Sequence, residues 1–218
     1  MVFVRVFAVT LCLVATPALA AEQVAMARTG LFGSIEIRGV SLNVLPKWTG
    51  VLARYFDEKK LADAPCTASA FNRCHLAEWS KFIESIRGLD RSRQVAEVNR
   101  YMNQKRYVID PVNYGVADYW ATPLQFLTKN GDCEDYAIAK FFSLRALGFD
   151  NDALRILVVD DLNLKVAHAV LVVYLNGVPS LLDNQVAQVV RVEAVRHYRP
   201  IYSANENDWW FHRMTAGG

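Results

Sequence analysis

What this chain of 218 residues lacks narrows its class before any motif is read. It contains no internal repeat, no low-complexity tract and no Pro/Gly/Ser linker, so nothing points to a solenoid or to tethered modules. With 53% hydrophobic residues, the length suits one well-buried domain and is short for two. No basic stripe or cationic helix stands out, and the formal charge is only +2, which disfavours nucleic acid or an anionic membrane as main partner. The histidines, His75, His168, His197 and His212, form no i, i+4 pair, and only Cys74-His75 joins the usual zinc ligand types locally. No apolar run reaches the ~20 residues that a bilayer-spanning helix needs.

What is present begins with a leader. Residues 1–20 carry Arg5, an apolar run from Val6 to Ala15, and Ala18-Leu19-Ala20, whose small residues flank a bulkier one as signal peptidase requires. The expectation is an exported protein with residues 1–20 removed, one mature domain over 21–218, and no membrane span after cleavage. Removing one Arg and no acid takes the balance from +2 to +1. Cys12 leaves with the peptide, so Cys66, Cys74 and Cys133 remain, an odd number for an oxidising compartment. Cys66 and Cys74 are close enough in sequence to pair, which would leave Cys133 free; three reduced, buried thiols are the alternative.

Cys133 sits in Asn130-Gly131-Asp132-Cys133-Glu134-Asp135-Tyr136, where a turn hands over to a helix. Backbone N–H groups of a first helical turn have no intrahelical partner, so this position favours thiolate and can hold an oxyanion. Upstream, Leu45, Trp48, Leu52, Tyr55 and Phe56 recur at helical spacing, as do Leu76, Trp79, Phe82, Ile83, Ile86 and Leu89, then Val95, Val98 and Met102. These stripes read as core. Thr122-Pro123 opens a short helix that Asn130-Gly131 stops, and the cysteine helix follows, ending at Gly148.

Past Gly148 the period becomes extended. Leu154 to Asp160 and Val166 to Leu175 read as strands, Asn176-Gly177 as a hairpin turn, Val178 to Asn184 as the returning strand, and Arg199 to Ser203 as a further one. Helices first and antiparallel strands afterwards make an α+β chain. A two-residue turn pairs Leu175 with Val178, so His168 and Asp183 become diagonal neighbours on one face, ~7–8 Å apart between backbones. A histidine in the apolar strand Val166 to Val170 is costly unless hydrogen-bonded, so a satisfied structural histidine competes with a base. Asp183 likewise reads as a strand-end residue or as the orienter of His168. Taken together, Cys133, His168 and Asp183 supply a nucleophile, a base and an orienter.

Trp120-Ala121-Thr122-Pro123, Gly131 to Ala137, His168-Ala169-Val170-Leu171 and Leu182-Asp183-Asn184, in that order, resemble the bacterial transglutaminase-like cysteine peptidases over essentially the whole mature chain. The resemblance implies a papain-like, transglutaminase-like core, a periplasmic location, catalytic Cys133, His168 and Asp183, calcium dependence, and proteolysis rather than crosslinking. For the adhesin-cleaving members it also implies two partners. One is a very large surface adhesin, cut near its N-terminus at a pair of alanines so that cells leave a biofilm. The other is an inner-membrane cyclic di-GMP receptor that sequesters the protease.

The same resemblance marks Asp132, Glu134 and Asp135 as calcium residues. Independently, three carboxylates around a thiol oppose its ionisation, a bound divalent cation would cancel that penalty, and oxygen ligands suit calcium better than zinc. The alternative is Asp132 as an N-cap with Glu134 and Asp135 complementing the helix dipole. Trp120 is either a wall of the substrate cleft or core packing, and Trp209-Trp210 either a docking patch or buried aromatics. Besides an endopeptidase, the same three residues would serve a transglutaminase-type acyltransferase, and a catalytically silent calcium- or partner-binding module is the third possibility.

Overall fold

The computed structural model describes residues 30–60 and 74–214, so the expected signal peptide and Cys66 lie outside the described residues. The three apolar stripes become helices α1 (Pro46–Lys60), α2 (Cys74–Ile86) and α3 (Arg91–Asn103). Trp48, Trp79, Ile83, Ile86, Val95, Val98 and Met102 are buried, as their spacing requires. Phe56 and Leu89 are exposed, contrary to expectation. Adjacent residues on a helix diverge by about 100°. Of the pair Tyr55 and Phe56 it is Tyr55 that stacks inward on Phe142, at 3.6 Å between centroids. Leu89 falls in the turn beyond α2. Cys74 is disulfide-bonded, and Cys133 is free.

A one-turn helix α4 (Asp110–Asn113), not foreseen, precedes α5 (Pro123–Lys129) and α6 (Cys133–Ala146). The α5 start is a capping box: Gln125 N–H donates to Thr122 Oγ1, and Thr122 N–H to Gln125 Oε1. Asn130, not Gly131, takes the positive φ that ends α5. Helix α6 is buried from Glu134 to Ser143 and lies at the centre of the main core.

The strands are β1 (Ile35–Arg38), β2 (Leu154–Asp161), β3 (Val166–Leu175), β4 (Val178–Leu182), β5 (Val190–Arg191), β6 (Tyr198–Ala204) and β7 (Trp209–Arg213). They form one antiparallel sheet in the order β1-β7-β6-β2-β3-β4-β5. The β3–β4 register runs from Leu175↔Val178 to Leu171↔Leu182, as the two-residue turn dictates, with both turn residues at positive φ. The short strands β1, β5 and β7 were not anticipated, and Trp209 and Trp210 are half-buried residues of β7 rather than a free patch. Alternation along β3 sends Leu171 and Val173 to the helical core. Val170 and Val172 face a second, smaller core with Leu31, Val192 and Tyr198.

Candidate active site

Chain entry into α6 is fixed by close approaches rather than by the helix alone. Val108 N–H donates to Gly131 O at 2.8 Å, and a Cβ on Gly131 would come within 2.1 Å of Asp135 Oδ2. Glycine is therefore required there by contact. Cys133 follows as the first helical residue, with Asp132 at the N-cap.

Two strands bring the other groups. Pairing of β3 with β4 stops at Leu171↔Leu182, leaving residues 166–170 with a free edge. The Ala169 backbone, next to His168 in the chain, acts in the direction that favours the Cys133 thiolate. His168, buried, bonds through Nε2 to Asp183 Oδ1 at 3.0 Å, the diagonal pairing that the hairpin arithmetic requires. Asp183 also accepts from Gln185 N–H at 2.9 Å and from the Tyr198 hydroxyl at 2.6 Å. Burial alone would raise its pKa, but the His168 bond and charge, with Tyr198 and Gln185, outweigh this and hold the carboxyl below its ordinary range. Asn103 of α3 donates to Asp183 O at 2.8 Å and Asn99 to Ala187 O at 3.0 Å, so α3 grips the loop after β4.

The thiol is not bonded to His168. It donates to Glu134 Oε2 at 3.2 Å, and burial together with the Glu134 charge pushes it well above its usual value. Around it, Asp110, Asp132 and Glu134 place one carboxylate oxygen each within 4.8 Å of one another. Burial and the Asp132 and Asp135 charges raise Glu134 to about 9, and burial raises Asp110 to about 6. Asp110 Oδ1 and Asp132 Oδ1 are buried without a hydrogen-bond partner among the described residues. Converging, unsatisfied carboxylates fit a hard divalent cation such as calcium.

Asp135, expected in this cluster, is turned away from it. Its Oδ1 accepts from Ala121 N–H at 2.7 Å and its Oδ2 from Asp132 N–H at 3.3 Å. Adjacent helical side chains diverge by about 100°, so Glu134 and Asp135 do not converge on one point. Asp110, 22 residues upstream of Asp132, takes the third position; only its place before Pro111 at a helix start hinted at it. Tyr198 and Asn103 carried no sequence signal for a role at the site. Trp120 is 7% exposed and packs in the main core.

The model of the bacterial transglutaminase-like cysteine proteinases matches residues 66–214. The calcium-bound structure of Legionella pneumophila LapG is 32% identical, covering 72% of this chain and 87% of that one, with a TM-score of 0.61. The EGTA-treated form of the same protein gives 32% identity, 72% and 84% coverage, and a TM-score of 0.60. No curated protein matches the chain. The family match and the likeness to LapG in fold and sequence agree, and the chain belongs to the bacterial transglutaminase-like cysteine proteinases: it is a cysteine peptidase.

Proposed function

We propose that this protein is a periplasmic, calcium-dependent cysteine endopeptidase that works through Cys133, His168 and Asp183 and cleaves a large cell-surface adhesin near its N-terminus, controlling release from a biofilm. The observation that carries the chemistry is the buried His168–Asp183 bond at the start of β3, a strand packed against the helix that begins at Cys133. The leader in residues 1–20 supports export. The likeness to LapG supports the adhesin substrate, and a cyclic di-GMP receptor at the inner membrane is proposed as the regulator on the same ground.

With Nε2–H donated to an ionised Asp183, neutral His168 carries its lone pair on Nδ1. The thiol must leave Glu134 before it gives its proton to that nitrogen. Asp110, Asp132 and Glu134 would hold calcium, whose charge would neutralise the carboxylates that now oppose ionisation of the thiol. The thiolate attacks the scissile carbonyl carbon, and the unpaired first-turn N–H of Cys133 is placed to hold the oxyanion. Collapse breaks the C–N bond, and the His168 imidazolium protonates the leaving amine. A thioester to Cys133 remains. Water then attacks it, His168 takes the water proton, and the acid product leaves as the sulfur is regenerated.

The test is Cys133→Ala against wild type on an adhesin N-terminal fragment with calcium present. Cleavage is expected to disappear while circular dichroism stays unchanged; residual cleavage by the variant at the wild-type rate refutes the assignment. A labelled amine included in the wild-type reaction separates hydrolysis from acyl transfer, and no incorporation is expected.

A further inference from the structure

Strand β6 changes face on its way past the site. At its far end Tyr202 and Ala204 pack on the main core with α6. Tyr198 lies an even number of residues away and would point the same way in a regular strand. It does not. The register of β6 against β2 slips between Val158, paired with Tyr202, and Val159, paired with Pro200, so Ile201 is an extra residue. A bulge of this kind inverts the faces beyond it, and it is a place where a strand tolerates proline. Tyr198 therefore joins the second core, on the face shared by Val170, Val172 and, by alternation, His168.

There the Tyr198 hydroxyl donates to Asp183 Oδ2 at 2.6 Å, while Asp183 Oδ1 bonds His168 Nε2 at 3.0 Å. All three side chains are buried. The Tyr198 ring also lies 5.6 Å from the imidazole between centroids, and Phe32 packs edge-on against it at 6.3 Å. Burial and the Asp183 carboxylate push the phenol well above its ordinary range, so it stays protonated and remains a donor. Gln185 N–H shares Oδ1 with His168, and among the described residues Tyr198 is the one donor to Oδ2. Without it, a buried carboxylate oxygen would be left unsatisfied, free to turn about the Cβ–Cγ bond or to admit water, and the imidazole it holds would loosen with it.

We propose that Tyr198 is a positioning residue for this peptidase, acting through Asp183: its hydroxyl pins Oδ2 so that Oδ1 stays turned to His168, and its ring backs the imidazole. The proposal rests on the assignment of Cys133, His168 and Asp183 as the reacting set. A bulge gives up ladder pairing, and here it brings one hydroxyl to the far side of the carboxylate. A base held in one orientation speeds the chemical step and leaves substrate binding alone.

The experiment uses Tyr198→Phe, which keeps the ring and removes one oxygen, on the adhesin N-terminal fragment with calcium present. The kcat is expected to fall roughly ten- to hundredfold, the loss of one hydrogen bond to a charged group, with KM within about twofold of wild type. In an Asp183→Asn background the same substitution should change kcat by less than about twofold, since a residue acting through Asp183 then has nothing to act on. A folded Tyr198→Phe with wild-type kcat, or a full loss repeated in the Asp183→Asn background, overturns the proposal and leaves the hydroxyl as the partner of a buried oxygen. A second readout requires no turnover. In proton NMR the His168 Nε2–H should lie far downfield and exchange slowly in wild type, and should vanish into rapid exchange in Tyr198→Phe; equal protection in both also overturns the proposal. Should Tyr198→Phe not fold, Tyr198→4-aminophenylalanine keeps the ring and a weaker donor, and its kcat should be severalfold below wild type at unchanged KM. Wild-type kcat there counts against the proposal in the same way. A failure of the underlying assignment shows separately, as undiminished cleavage by His168→Ala.

Discussion

Asp110 shows what one side chain does in a crowded electrostatic site. Its Oδ2 accepts from Tyr119 N–H, its Oδ1 is unpartnered, and it adds a third negative group to Asp132 and Glu134. Asp110→Asn keeps the shape and an oxygen for Tyr119 but removes the charge. Two opposite outcomes follow for one substitution. Without calcium the variant should melt higher than wild type, because a repulsive charge has gone. With calcium its affinity should be weaker on the order of tenfold, because ligand charge sets affinity at such sites. Calorimetric titration with calcium and thermal melts in chelator measure the two effects, and cleavage should return at high calcium, unlike that of Cys133→Ala. Equal calcium affinity in variant and wild type would show that Asp110 is no ligand.

Among elements, β1 has the weakest claim to its place, since among the described residues it pairs only with β7 at a sheet edge. A buried polar knot fastens it. His212 of β7 bonds through Nδ1 to Ser34 Oγ and through Nε2 to Ser203 Oγ, each at 2.9 Å. Ser34 donates its own proton to Leu31 O, so it accepts from Nδ1–H, and Ser203 donates to Nε2. That tautomer is neutral. Burial lowers the His212 pKa from 6.5 to about 4, with Glu36 opposing and Arg155 reinforcing the shift. Between those values the unfolded chain takes up a proton that the folded one refuses. Stability is therefore lost as pH falls from 6.5 toward 4, by on the order of 3 kcal/mol. Urea midpoints at pH 7 and pH 4.5 should differ accordingly in wild type. In His212→Gln the pH 7 midpoint should be lower, since the knot is weakened, but the change with pH smaller. The same slope in both proteins would place the acid sensitivity elsewhere.

Across the whole molecule, local patterns were legible and distant meetings were not. Asn176-Gly177 set the register that joins His168 to Asp183, and the position of Cys133 at a helix start followed from its neighbours. The pairing of β1 with β7, Tyr198 beneath Asp183, and Asp110 beside Asp132 all depend on chain closure that no short window encodes. That non-local assembly has a thermodynamic consequence. The oxygens of Asp110 and of Asp132 and Glu134 come together only when α4 is docked against the start of α6, so calcium should bind the folded chain and not the unfolded one. A ligand held only by the native state stabilises it by about 2.7 kcal/mol at a hundred times its Kd. For a chain of this size each kcal/mol is worth about 2–4 °C. Calcium should therefore raise Tm by about 5–10 °C, and excess chelator should reverse the gain. Magnesium should do much less, because it demands a tighter octahedral shell and gives up its water reluctantly. Melting temperatures that do not move between calcium and chelator would mean that the three carboxylates share protons rather than a metal, and that the thiol must be activated by His168 alone.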